Sequence, residues 1–339
     1  MSTYYRPLPQ SAGPRPREAF DLAGGPLWFT QAVALRRDGT AQIVPAKTIP
    51  DDVLMRLTAA RAPIAGMEMG RVTLMGILNV TPDSFSDGGR YLEPEAAVAQ
   101  ARRMAAEGAG IIDVGGESTR PGAQTVPVDE EIRRVAGPIA AIAAELDVPI
   151  SIDTRKAPVA EAALDAGAAL VNDVAGFTYD AGLAPLCAAR RVPVCVMHAQ
   201  GDPETMQNAP RYGDVRLDVY DFLSDRVEAL VAQGIARDQI LVDPGIGFGK
   251  TLDHNLALLR DIALFHGLGC PILLGASRKK FIGTISGAGT ADTRVAGSVA
   301  VALHGATQGV QVIRVHDVNE TRQALALWRA IEWGYENGT

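Results

Sequence analysis

From Arg71 onward the chain alternates between two kinds of segment. Short apolar, β-branched runs recur at Val72–Asn79, Ile111–Gly115, Ile150–Thr154, Leu170–Asp173, Val194–His198, Ile240–Asp243, Ile272–Ser277 and Val312–His316, each closing on a polar residue or glycine. Between most of them lie Ala-rich stretches of helical period, among them Pro94–Glu107, Asp129–Leu146, Ala157–Ala166, Asp218–Gln233 and Thr293–Thr307. Runs that are apolar throughout, rather than alternating, belong to strands covered on both faces. Repeated strand–helix units of this kind predict an α/β fold, a closed (β/α)8 TIM barrel, in which every strand is equivalent. An open doubly wound sheet would need edge strands with polar relief, and none of the runs offers it. In the barrel, the strand C-termini share one mouth, where this fold carries its active sites. Asn79, Asp113, Glu117, Asp153, Asn172, Asp173, His198, Asp243, Ser277 and His316 would then converge.

The first part of the chain lacks this rhythm. Residues 1–20 are rich in Pro, Ser and Arg and are expected to be disordered or loosely draped. Pro26–Pro45 reads as a β-hairpin around Arg37-Asp38-Gly39, and Ile49–Ala62 as a short helix. No chemistry is apparent there, so residues 1–68 are taken as an N-terminal extension and 69–339 as the barrel.

Composition narrows the function. Of 339 residues, 47% are hydrophobic and only 5% aromatic, which suits parallel strands under small-residue helices. A net charge of −7 gives no support for a nucleic-acid partner, although local cations can still hold a small anion. Cys187, Cys195 and Cys270 show no metal or redox spacing and are expected to be buried thiols. The N-terminal MSTYYRPLPQ lacks an apolar signal core, and no run has the length of a membrane span, so a cytoplasmic protein without membrane contact is expected.

The loops after the runs carry the candidate chemistry. Asn79–Gly89 is long and polar, with Phe85 as its aromatic residue, and is shaped like a lid; on spacing alone it could equally be a surface loop with an Asx turn. Gly115–Gly122 sets Arg120 between glycines, where a solvated Arg in a turn is the plain alternative. Asp243–Lys250 has three glycines that allow close backbone approach to a ligand, by itself a weak signal. Gly275–Phe281 brings Arg278, Lys279 and Lys280 after a strand, of which Lys280 is read as solvated. Arg314 and His316, two residues apart, project from one face of a strand end. Barrels often bind phosphate around their seventh and eighth strands, where these cations gather.

The stretches GILNVTPDSFSDGG, IIDVGGESTRPGA, SIDT, VNDVAGF, VCVMHAQGDPETMQ, DPGIGFGKT, GASRKKFIG and RVHDV, in this order, closely resemble the dihydropteroate synthases. The resemblance runs from about Met69 to the C-terminus and leaves residues 1–68 uncovered. It implies an Mg²⁺-assisted, SN1-like condensation of a pterin-methyl diphosphate with 4-aminobenzoate by a homodimer. Residue by residue, it implies that Asn79 binds Mg²⁺ and diphosphate. Asp153, Asn172, Asp243, Lys279 and Gly275 would take the pterin, with Met197 and Phe248 lining its pocket. Arg120, Arg314 and His316 would hold the diphosphate. Phe85, Thr119, Pro121, Ser277 and Lys279 would surround 4-aminobenzoate. Catalytic roles would fall to Asn79, Lys279, Arg314 and His316. A methyltetrahydrofolate-dependent methyltransferase on the same barrel would not need Arg314 and His316 or the Ser277-Arg278-Lys279 loop. A protein that merely sequesters pterin would not need the diphosphate ligands.

Overall fold

The computed structural model describes residues 3–80, 93–118, 125–201 and 209–335. The extension contains β1 (Tyr4–Pro7), β2 (Phe20–Asp21), β3 (Trp28–Phe29), β4 (Gln31–Leu35), β5 (Ala41–Pro45) and α1 (Asp51–Thr58). The barrel unit follows as β6 (Thr73–Asn79), α2 (Glu93–Glu107), β7 (Ile111–Gly115), α3 (Val128–Glu145), β8 (Ile150–Asp153), α4 (Ala157–Asp165), β9 (Leu170–Asp173), α5 (Leu183–Arg190) and β10 (Val194–Met197). It continues with α6 (Val215–Ala232), β11 (Ile240–Asp243), α7 (Leu252–Arg260), β12 (Leu273–Leu274), α8 (Lys280–Ser286), α9 (Val295–Thr307), β13 (Val312–Val315) and α10 (Val318–Trp333). All the apolar runs are strands, paired in parallel in the order β11-β10-β9-β8-β7-β6-β13-β12. A parallel bridge between Val242 and Ile272 joins the two ends of that order and closes the ring.

Alternation along each strand divides the molecule into layers. One set of side chains, including Leu74, Ile112, Val114, Ile152, Val171, Val196, Val242 and Ile313, packs outward in the large core shared with the helices. The opposite set forms a smaller apolar floor of Met75, Ile111, Leu170, Cys195, Leu241, Leu273 and Val312. Ile64, Met67 and Met69 join that floor, so the end of the extension plugs the barrel and its packing crosses residue 68. One step further along the same strand faces come Asp113, Asp153, Asn172, Met197, Asp243 and Arg314, a polar layer above an apolar base. All three cysteines are buried and free, as expected of thiols used for packing.

The expected hairpin exists as β4 and β5, but the expectation of a loosely draped start needs correction. Tyr4–Pro7 is strand β1, paired with β4 in a three-stranded antiparallel sheet. Tyr4 and Leu35 bury themselves against Leu217 and Leu264 of the barrel unit. Tyr4 also donates to Asp221 at 2.9 Å, and Arg6 pairs with Asp261 at 3.1 Å. A second small core of Leu22, Leu27, Phe29, Ala32, Ala46, Ile49 and Leu57 completes the extension. Among the described residues, no helix is long and apolar enough to cross a membrane.

Candidate active site

Strand register places the polar side chains at one level. Asn79 pairs laterally with Gly115, Gly115 with Asp153, and Asp153 with Asn172; on the other side Met197 pairs with Asp243. Arg314 enters from β13 and ties this layer together. Its Nε donates to Asp113 Oδ2 at 2.6 Å and its Nη2 to Asp153 Oδ2 at 2.8 Å. Asn172 Nδ2 donates to the same Asp113 oxygen at 3.2 Å. The other oxygen of each carboxylate, Asp113 Oδ1 and Asp153 Oδ1, is buried without a hydrogen-bond partner, as is Ser151 Oγ. Leaving such acceptors dry and unpaired is costly, so they mark where a ligand's N–H groups would be received.

The electrostatics follow from this burial. Desolvation pushes the Asp153 carboxyl up to about 7, against the pull of Arg314. Desolvation also raises Asp243, whose Oδ1 accepts from Gly245 N at 2.7 Å. Lys279 is drawn down to about 7, again by burial, with Asp243 opposing. Its ammonium donates to the Ile246 carbonyl and stands 4.1 Å from the centre of the Phe248 ring, a cation–π contact. The wall between them depends on glycine. Gly245 has φ +69°, and a Cβ there would fall 1.9 Å from the His198 carbonyl oxygen. A Cβ at Gly275 would come within 3.5 Å of Asp243 Oδ2 and 3.9 Å of Arg314 Cδ, narrowing the space between them.

The remaining expected residues divide by location. Ser277 and His316 face one another, His316 Nδ1 lying 3.0 Å from Ser277 Oγ, which also accepts from the His316 amide at 3.2 Å. Asn79 Oδ1 and Asp153 Oδ2 each lie 3.8 Å from where a Gly115 Cβ would stand. Phe85, Thr119, Arg120 and Pro121 fall outside the described residues. Lys280 is exposed, in keeping with a solvated cation.

Three residues expected at the mouth are engaged by groups of the protein itself. Asp173 accepts from the amides of Ala175 and Phe177 at 2.7 and 2.6 Å, capping the turn after β9. His198 Nδ1 lies 2.9 Å from Lys250 Nζ, and burial drives its imidazole down to about 2, so it is neutral. Glu117 is locked by Arg155 and Lys156. Arg155, Lys156 and their partner Glu131 were not singled out in the sequence. The Thr154-Arg155-Lys156 stretch directly after a strand was the signal that could have drawn attention to them.

The barrel is similar to known proteins. The family described as "Pterin binding enzyme" matches residues 75–316. The dihydropteroate synthase of Synechocystis sp. is 46% identical over 263 residues, covering 76% of this chain and 91% of the relative. That of Escherichia coli K12 is 45% identical over 271 residues, covering 80% and 95%. Among solved structures, a Xanthomonas albilineans dihydropteroate synthase with 4-aminobenzoic acid superposes with a TM-score of 0.76 at 45% identity, covering 80% of this chain and 98% of that one. A Yersinia pestis dihydropteroate synthase with a sulfonamide drug gives 0.75 at 44% identity, covering 80% and 98%. The X. albilineans enzyme in complex with 7,8-dihydropteroate gives 0.72 at 42% identity, covering 79% and 96%.

Proposed function

The chain belongs to the dihydropteroate synthases, pterinylmethyl transferases of folate biosynthesis, and from that premise we propose its reaction in detail: (7,8-dihydropterin-6-yl)methyl diphosphate condenses with 4-aminobenzoate to give 7,8-dihydropteroate and diphosphate. The observation that carries this reading is the set of orphaned acceptors in the barrel, Asp113 Oδ1, Asp153 Oδ1 and Ser151 Oγ. A pterin ring presents amine and amide N–H groups along one edge, which these oxygens can accept. Asn172 and Asp243 complete the polar rim, Met197 and Phe248 supply the apolar faces, and Lys279, from the connection after β12, reaches the same ring beside Ile246 and Phe248. A ring without those donors would leave buried carboxylate oxygens unpaired, which is how the pocket would reject it.

In the reaction, the methylene C–O bond breaks and diphosphate departs with the electron pair. The amine nitrogen of 4-aminobenzoate forms the new C–N bond and loses a proton. An aromatic amine is already neutral at pH 7, so no strong base is required, and a dissociative, SN1-like step fits a carbocation conjugated to the pterin. Arg314 stands at the junction of the two functions. Its Nε and Nη2 are engaged with Asp113 and Asp153, which among the described residues leaves Nη1 to meet an anion. Negative charge developing on the leaving group would meet Nη1, His316 and Arg120. Ser277 orients the His316 ring and, with Phe85, Thr119, Pro121 and Lys279, would border 4-aminobenzoate.

Asn79 offers a single amide oxygen at the strand end, and no His, Cys, Asp or Glu cluster among the described residues forms a dedicated metal cage. That donor set fits Mg²⁺ carried largely by diphosphate and water oxygens, as this ion is commonly held. When bound, Mg²⁺ would neutralise leaving-group charge. The test is direct: the protein is mixed with both substrates and Mg²⁺, and diphosphate and dihydropteroate are measured with and without EDTA. Formation of both, lost on chelation, is expected; no dihydropteroate in the presence of Mg²⁺ refutes the reading.

A further inference from the structure

The connection after β7 is held at both of its described ends by two cations that follow β8. Lys156 Nζ lies 2.6 Å from Glu117 Oε2, 2.6 Å from Glu131 Oε2 and 2.6 Å from the Val126 carbonyl oxygen. Glu117 Oε2 also accepts from Val126 N at 2.7 Å, so one carboxylate fastens the outgoing strand of the loop to the returning one. Arg155 repeats the arrangement beside it. Its Nε donates to Glu117 Oε1 at 3.1 Å and its Nη2 to Thr125 Oγ1 at 3.2 Å, while its guanidinium lies 4.1 Å over the Tyr179 ring. Thr154 Oγ1 donates to Glu131 Oε1 at 2.8 Å, tying in the start of α3. Glu117, Glu131, Arg155 and Lys156 are all buried, at 7, 1, 6 and 4% exposure.

A buried set of two acids and two bases is a poor source of stability, because desolvation offsets most of the attraction. Its geometry, however, does something an apolar cluster could not. It fixes the residue before the loop, Glu117, and the residues after it, Thr125 and Val126, to the chain immediately beyond Asp153. We infer that Arg155 and Lys156 are positioning residues: they hold the stem of the second βα loop in register with the pterin-binding strand end, and so set affinity for 4-aminobenzoate. The inference rests on the proposed reading, in which Thr119 and Pro121, between the two clamped ends, border that substrate. Misplacing a binding group by about 1 Å through a remote change can cost up to about 100-fold.

The test compares Arg155→Met, Lys156→Arg and the double variant Lys156→Met/Glu131→Gln. The double variant removes one charge of each sign and so avoids a lone buried carboxylate. Arg155→Met leaves Glu117 still paired with Lys156 and keeps the question answerable if the double variant does not fold. Steady-state kinetics should show the KM for 4-aminobenzoate rising roughly tenfold or more in Arg155→Met and in the double variant. The Kd for the pterin diphosphate, measured separately, should stay within about twofold, and Lys156→Arg should recover most of the lost affinity. Equal weakening of both substrates, or an unchanged 4-aminobenzoate KM in Arg155→Met, overturns the inference alone. Failure of the unsubstituted protein to use 4-aminobenzoate at all overturns the underlying reading, and the inference with it.

Discussion

Replacing Asp153 by Asn keeps the shape of the side chain and removes one charge from the floor of the proposed pterin pocket. Asp153 Oδ2 accepts from Arg314 at 2.8 Å, while Oδ1 is buried without a partner. An ionised acceptor in that position should contribute about 1.5–3 kcal/mol to a hydrogen bond from the pterin, so the variant should bind roughly 10- to 150-fold more weakly. The full effect appears only where Asp153 is ionised. Burial raises its carboxyl to about 7, so the ionised form gives way to a neutral acid as pH falls through neutrality in the unliganded protein. A ligand that donates to the carboxylate favours the ionised form, so wild-type affinity should rise as pH increases through about 7. The ratio of variant to wild-type Kd should therefore be small near pH 6 and reach its maximum above about pH 8. Lys279 titrates in the same range and the Asp153 charge favours its ammonium, so the variant lowers it further; the pH profile of Asp153→Asn alone reports that contribution. Calorimetric titration with a pterin across this range measures both quantities. A ratio near one at every pH removes Asp153 from the pocket.

Gly245→Ala should destabilise the fold by about 2 kcal/mol or more, because its φ is +69° and its Cβ would collide with the His198 carbonyl; an unchanged thermal midpoint would contradict this. A sulfonamide should compete with 4-aminobenzoate, raising its apparent KM without lowering the maximal rate, and inhibition insensitive to 4-aminobenzoate would argue against the second subsite. Deleting residues 1–48 uncovers Leu217 and Leu264, so thermal unfolding should register a loss of about 3 kcal/mol or more, with kcat within about twofold for the folded fraction. An unaltered melting curve would show that the extension contributes nothing to the barrel.

The barrel was legible because its strands are buried on both faces and therefore announce themselves as unbroken apolar runs. The extension was less so. Tyr4-Tyr5-Arg6-Pro7 becomes a strand only because β4 and the Leu217–Leu264 surface cover it, and both lie far away in sequence. A list of strand ends identified most of the polar layer, yet it could not separate ligand-facing groups from those used locally. Asp173 and His198 find partners within their own loops or the neighbouring one, which position at a strand end does not reveal. Nor does it reveal that Arg314 spans to Asp113 and Asp153 across the barrel. That pairing alters what substitution of Arg314 should do: Arg314→Ala would disturb turnover and pterin binding together, since both carboxylates lose a cation. On the resemblance alone, the loss would have been confined to turnover.

The most direct measurement is a crystal structure of the protein with a pterin bound. The ring should lie inside the barrel mouth between Met197 and Arg314, with its N–H edge donating to Asp153 Oδ1 and its rim touching Asn172 and Asp243. A pterin seated outside the strand ends, with Asp113 Oδ1 and Asp153 Oδ1 still unpaired beneath it, would contradict the account.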